Sequence, residues 1–158
     1  MAYIRCESGG TAPQISVTTL WTTPDPNQIF NSQTITLSDN WDNYDLIKVQ
    51  YMPMRESTIG NVSSVLYETS EMSNWQQKWD SNDRSIRDCG GLTGMVHHES
   101  GGSAQGVRFI RTYDGTTALA KNKLFFTASV RTGGTNETYF NRYLVPIKVE
   151  GIKLSTPI

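Results

Sequence analysis

Residues 46–53 read Leu46-Ile47-Lys48-Val49-Gln50-Tyr51-Met52-Pro53, and this stretch decides the fold class. Its β-branched and aromatic residues suit a pleated strand, and Pro53 ends the strand because proline has no N–H for a sheet ladder. The surrounding chain is rich in Thr, Ser, Asn and Gly, whereas long helices need Ala, Leu, Glu, Lys and Arg. The stretch therefore predicts a β-strand in a chain with very little helix.

Shorter strand signals repeat on both sides of this stretch. They lie at residues 15–21, 33–37, 62–69, 92–99, 107–113, 124–132 and 143–154. Gly, Pro, Asn and Asp separate them, which is typical of antiparallel sandwiches and barrels. In the last run, Pro146 indicates an edge position or a bulge, and Gly151 indicates a bend. We predict an all-β fold, a single antiparallel β-sandwich of jelly-roll-like form, over residues 15–158.

Two regions do not fit this pattern of strands. Residues 1–14 contain a short leader, Ala2–Cys6, and a Ser-Gly-Gly joint, so we expect an attachment arm or an arm that pairs with a neighbour. Residues 71–90 are compatible with helix, strand or loop, and the turn-forming run that begins at Asp80 favours a loop or a short helix.

The composition excludes several classes of function. The chain has 158 residues, enough for one core, and carries 14 basic and 15 acidic residues. A net charge of -1 argues against nucleic-acid binding, and no apolar run approaches the ~20 residues of a membrane span. Cys6 and Cys89 are not in a Cys-x-x-Cys pair. Two reduced thiols are the simple interpretation, and a disulfide between them stays open.

The residues that carry catalytic or metal chemistry are few and badly spaced. His97 and His98 point to opposite faces of a strand, so they form no metal site without distant ligands. No Gly-x-Ser-x-Gly elbow is present, and Asp39, Asp42 and Asp45 lie in segments typical of turns. We predict that the chain is not an enzyme and has no catalytic residues, no metal and no cofactor.

The aromatic residues in polar segments are the best candidates for binding. A Trp beside Asp, Asn or Gln can stack on a sugar ring while its neighbours bind the hydroxyl groups. The same Trp can instead cap the core, and Trp75 and Trp79 can also anchor a subunit interface. The candidate ligand-binding residues are Trp41, Asp42, Tyr44, Trp75, Gln77 and Trp79.

Two parts of the chain are similar to a known group of proteins. The first contains Thr19-Leu20-Trp21-Thr22, Pro24, Pro26, Phe30, the run 33–37 and Asn43-Tyr44-Asp45-Leu46-Ile47-Lys48-Val49. The second is the run from Tyr143 to Leu154. Together they resemble a module of structural proteins of tailed bacteriophages and prophages. The resemblance contains no catalytic motif, and residues 71–90 fit it poorly.

The resemblance implies a protein of the virion, made in the cytoplasm of the bacterial host. A short tail or head fibre, or a receptor-binding domain that attaches to the host, is the first expectation, and a capsid decoration protein is the alternative. Such proteins are commonly β-rich homotrimers, so we expect a homotrimer joined to other virion proteins through the arm. The expected ligand is a host-surface glycan or protein. A carbohydrate-binding module and a small glycan hydrolase are the competing hypotheses.

Overall fold

The computed structural model describes residues 14–25, 29–53, 62–75, 89–98, 102–115, 117–131 and 141–155. The strands are β1 (Gln14–Thr22), β2 (Gln33–Thr36), β3 (Leu46–Met52), β4 (Ser63–Glu68), β5 (Gly90–His98), β6 (Gly102–Arg111), β7 (Tyr113–Asp114), β8 (Thr117–Ala118), β9 (Lys123–Phe126), β10 (Val130–Arg131) and β11 (Val145–Ser155). In the described ranges, helix is confined to a 3-10 turn at Trp41–Asn43 and to α1 (Thr69–Met72). Neither is long and apolar enough to cross a membrane. The predicted all-β class is confirmed.

The strands form two larger sheets and a small hairpin, and every described pairing is antiparallel. The first sheet has the order β1-β11-β3-β4. In the second sheet, β6 pairs with β5 on one side and with both β9 and β10 on the other, and β2 follows β9. Among the described strands, β1 and β2 are therefore outer strands of the two sheets. The jelly-roll-like sandwich stays a prediction.

The last strand, β11, is central and not at an edge. It pairs with β1 on one side and β3 on the other, and the register shifts between Pro146 and Lys148. The bulge predicted from Pro146 is therefore confirmed, and the edge alternative is wrong. Gly151 has no side chain and so leaves room for the ring of Tyr44, which would lie 2.6 Å from a Cβ at this position.

The predicted strand 124–132 is divided into β9 and β10. At the break, the N–H of Phe109 donates to the hydroxyl of Thr127 at 3.0 Å. The guanidinium of Arg108 donates to the carbonyl of Thr127 at 2.7 Å. The N–H of Thr127 still donates to the carbonyl of Phe109 at 3.0 Å, but the side-chain bonds replace the reverse bond of this pair, so regular pairing stops there.

Residues 71–90 are described only in part. The short helix α1 begins two residues before this region, and Ser73 to Trp75 follow it. The N–H of Ser73 donates to the carbonyl of Thr69 at 3.0 Å, which closes the helix. Residues 76–88 lie outside the described ranges, as do residues 1–13 of the predicted arm, and Gln14 already belongs to β1.

Both large sheets contribute to one hydrophobic core. Its fully buried members include Ile47, Val49 and Val149 from the first sheet and Ile110 and Phe126 from the second. Inward residues alternate with outward ones along β3, as the period of a strand requires.

The guanidinium of Arg108 is a fully buried cation in the core. Its Nε donates to the carbonyl of Leu144, and Nη1 and Nη2 donate to those of Phe30, Thr127, Asn141 and Tyr143, at 2.7–3.5 Å. All five N–H donors of the side chain are thereby used. Burial lowers the pKa of Arg108 to about 9, so it stays charged at neutral pH. Arg108 thus joins β6 to three chain segments.

Candidate functional site

The loop from Asp39 to Tyr44 is held by its own hydrogen bonds. The carboxylate of Asp39 accepts from the N–H of Asn40 at 2.8 Å, the amide of Asn43 at 2.9 Å and the hydroxyl of Tyr44 at 3.0 Å. The bond from Asn40 is the main reason that the pKa of Asp39 is lowered from 3.8. These polar groups satisfy one another, so the loop is a stable turn.

The structure places Trp41 in the core. Its side chain is 1% exposed, and the Nζ of Lys121 lies 4.4 Å from the ring centre. A buried ring has no open face for a sugar, so the stacking role proposed for Trp41 is wrong, and the alternative that it caps the core is correct. Asp42 is exposed beside it, and the half-buried ring of Tyr44 packs against Gly151. Burial is the main cause that raises the pKa of Tyr44.

The second candidate, Trp75, is a half-buried packing residue. Its ring meets the ring of Tyr67 edge to face, with centroids 5.2 Å apart. A Cβ on Gly90 would lie 2.7 Å from both rings, and the hydroxyl of Thr112 donates to the carbonyl of Trp75 at 2.9 Å. Through this packing and this hydrogen bond, Trp75 connects the end of α1 to the second sheet. Gln77 and Trp79 lie outside the described residues.

A different surface has the character of a binding site, and it lies on the first sheet. Residues directly opposite each other in an antiparallel ladder share a face. Ile15 lies opposite Leu154, and Ile152 lies between Val17 and Leu46. All five point away from the core, because their neighbours on β3, such as Ile47, point into it. With Leu66, diagonal to Leu46 on β4, they form the outer apolar face: Ile15, Val17, Leu46, Leu66, Ile152 and Leu154.

The outer apolar face is largely open to solvent. Ile15 is 68% exposed, Val17 and Leu66 are each 54% exposed, and Leu154 is 48% exposed. Single exposed apolar residues are ordinary, but a contiguous group with a polar rim marks a surface that binds another molecule. Four of the six are large side chains close to half exposed or more, so burial against a partner would remove considerable apolar area from water.

Charged residues border the outer apolar face on β3, β4 and β11, where Lys48 lies opposite Leu66 and the exposed Glu68 lies opposite Leu46. Glu150 lies between Thr19 and Lys48 in the register, and its carboxylate is 3.7 Å from the Nζ of Lys148. Interfaces between proteins commonly combine an apolar centre with such a rim. The arrangement is suited to contact with another protein chain.

The sequence contained a signal for this face. Leu46 stands directly before Ile47, so a strand that alternates must turn one of them outward. Ile15 and Val17 share that outward face, but their pairing with β11 and then with Leu46 is a fact of topology. The sequence alone does not reveal it.

Within the described ranges, no group of three or more His, Cys, Asp or Glu side chains is arranged to hold a metal ion. His97 and His98 lie at the end of β5, opposite Ser103 and Gly102. No protein-family model matches the chain, and no curated protein matches it either.

Proposed function

We propose that this chain is a structural subunit of a tailed-phage virion, of the fibre or receptor-binding type, that assembles as a homotrimer. The outer apolar face is the observation that carries the proposal, since it is a contiguous, exposed and rimmed surface on a regular sheet. The resemblance of the segments around Trp21 and around Val145 to phage structural proteins supports the same function. A capsid decoration protein shares these features and is the alternative within this class.

Removing the outer apolar face from water would stabilise an assembly of copies. Burying apolar surface contributes roughly 25 cal/mol per Å², and an interface core depleted of charge is typical of lasting contacts. The part of the face formed by Ile15, Val17, Ile152 and Leu154 has no charged residue paired with it, whereas Lys48 lies directly opposite Leu66 and Glu68 directly opposite Leu46. A copy of the same chain supplies a matching apolar surface.

Light scattering on purified full-length chain tests the proposal. We expect a trimer for the native chain and a monomer for Val17→Glu, because the new carboxylate would be buried without a partner. The matched control is Ser64→Glu, which adds the same charge to the outward side of β4 beyond the outer apolar face. A native monomer, or a trimer that survives Val17→Glu, would contradict assembly through this face.

Attachment to a host is a separate part of the proposal. The purified chain should bind cells of a susceptible bacterium and compete with the intact phage. Chain that assembles but binds no host cell would point to the decoration alternative.

A further inference from the structure

A groove opens where the outer strands of the two sheets separate. It has a volume of about 460 Å³ and is lined by Trp21, Pro24, Ile29, Phe30 and all four residues of β2. The strands meet at one end, where the N–H of Ser38 donates to the carbonyl of Leu20 at 2.8 Å. From that junction the groove runs along β2, and the ring of Trp21 meets that of Phe30 edge to face in its wall.

The main chain of β2 offers hydrogen-bonding groups to this groove. The N–H of Leu37 donates to the carbonyl of Asn122 at 2.7 Å, so residues 37 and 122 form a hydrogen-bonded pair that continues the β2–β9 ladder. Such pairs alternate with pairs that exchange no bonds. Thr34 and Thr36 therefore direct their N–H and C=O groups away from β9. In the described ranges, β2 has β9 as its hydrogen-bonded strand.

An open strand edge beside an apolar wall is the geometry of strand addition, in which an extended peptide pairs with the edge and places side chains against the wall. Ile29, 45% exposed, and the half-buried Trp21 provide that wall. A sugar would use the aromatic ring, but it would not require donors and acceptors at every second residue of a strand. The groove therefore favours an extended peptide.

We infer that the peptide is the leader Ala2–Cys6 of a second copy of this chain. This inference rests on the proposed assembly of copies. The leader reads Ala-Tyr-Ile-Arg-Cys, which offers the strand-forming residues Tyr3 and Ile4 and contains no proline, so every residue has an N–H for pairing.

The reach of the chain favours a second copy over the same copy. The eight steps from Cys6 to Gln14 span at most about 29 Å when fully extended. Along β1, the distance from Gln14 to Trp21 is already about 23 Å. To enter its own groove, the chain would have to reverse direction at Gln14 and run back nearly fully extended along β1. The leader of a neighbouring copy has no such restriction.

Disulfide trapping in the full-length chain tests this inference. In a Cys89→Ser background, Thr34→Cys places a thiol in the groove, and the native Cys6 supplies the other thiol. Oxidised glutathione is the oxidant. Directly paired residues of adjacent strands lie within the Cα separation that a disulfide allows. We expect Thr34→Cys to migrate mainly as multimers on a non-reducing gel, and Cys6→Ser to remove them. Ser64→Cys, exposed on the outer edge strand of the other sheet, should stay a single chain.

A second variant tests the main-chain bonds. The N–H of Thr34 is not used by β9, so Thr34→Pro removes a donor that serves the groove alone, and Thr34→Val keeps it. In these variants the groove thiol is supplied by Thr36→Cys, because residue 34 is already changed. We expect Thr34→Pro to reduce disulfide-linked multimers and Thr34→Val to leave their amount unchanged. Equal trapping with both would overturn strand pairing.

The remaining outcomes are also decisive. A disulfide within one chain, or equal trapping at Ser64→Cys, would overturn pairing between copies. Light scattering on the same chains under reducing conditions separates the two proposals. A trimer that is not trapped would overturn strand addition alone, and a monomer would contradict the assembly proposed above.

Discussion

The two faces of the first sheet differ in what covers them, although both are apolar. On the inner face, Ile47, Val49 and Val149 are fully buried in the core to which both large sheets contribute. On the outer face, Ile15 and Val17 stand at equivalent positions of the same sheet and are mostly exposed. A strand buried on both faces has apolar residues on both. The comparison teaches that the chain itself covers one apolar face of the sheet and leaves the other open, and the open face is the surface that the proposed assembly uses.

The largest effect is expected inside the molecule, at Arg108. Replacing it by Met removes the side-chain donor of five carbonyl groups, of which that of Asn141 keeps a second donor, the N–H of Phe30, so we expect a loss of about 3–5 kcal/mol in the free energy of unfolding. Arg108→Lys keeps the charge but has three donors, so it should also be clearly destabilised. Urea unfolding measures both. A Met variant as stable as the native chain would show that the network does not hold the core.

Two valines sharpen the comparison of the faces. Val49→Ala removes two methyl groups from a closed core and should cost about 2–3 kcal/mol. Val17→Ala removes the same groups from a surface that is open in the single chain, so its cost should stay below about 0.5 kcal/mol under conditions that keep the chain monomeric. Equal losses under those conditions would mean that the single chain itself covers its outer face.

Packing over the inner side of β11 should respond to a single added methyl group. A Cβ at Gly151 meets the ring of Tyr44 at 2.6 Å, so Gly151→Ala should cost about 1–3 kcal/mol. Gly91→Ala is the control, because the nearest atom to its Cβ, on Val107, is 3.9 Å away. Thermal melting of the two variants should differ by several degrees, and equal melting would contradict the placement of Tyr44.

The smallest expected effect is a loss of folding stability at acidic pH, caused by Asp39. The folded pKa of Asp39 is lowered, so its contribution to stability is present above the unfolded value of 3.8 and is lost as the pH falls through the folded value. Between about pH 5 and pH 3, the native chain should therefore lose slightly more stability than Asp39→Asn. Asp42→Asn leaves the three bonds to Asp39 intact and should follow the native chain. An identical acid response in Asp39→Asn would contradict this role.

The strands were predictable because each is a short apolar run between turn residues. The run at residues 46–52 is a strand with those bounds, and Pro146 marked a real bulge. The division between β9 and β10 was not predictable, since it depends on Arg108, nineteen positions from Thr127. Local propensity contains no information on such a contact.

The binding residues were less predictable than the strands. Trp41 lies among Asp and Asn, and this polar neighbourhood suggested an exposed ring, but those side chains bond one another and leave the ring to the core. The outer apolar face and the Trp21 groove are each assembled from strands far apart in the chain. Their residues come together through pairing that one sequence does not specify.

The central claim is that the outer apolar face is covered by another copy of the chain, and hydroxyl-radical footprinting tests it most directly. The reactivity of Ile15, Val17 and Leu154 is compared between the native chain and the Leu66→Glu variant, with Met95 as internal reference because it is 64% exposed on β5. The claim predicts that Ile15, Val17 and Leu154 are protected in the native chain and become reactive in Leu66→Glu, while Met95 does not change. Equal reactivity of these residues in the two chains would contradict it.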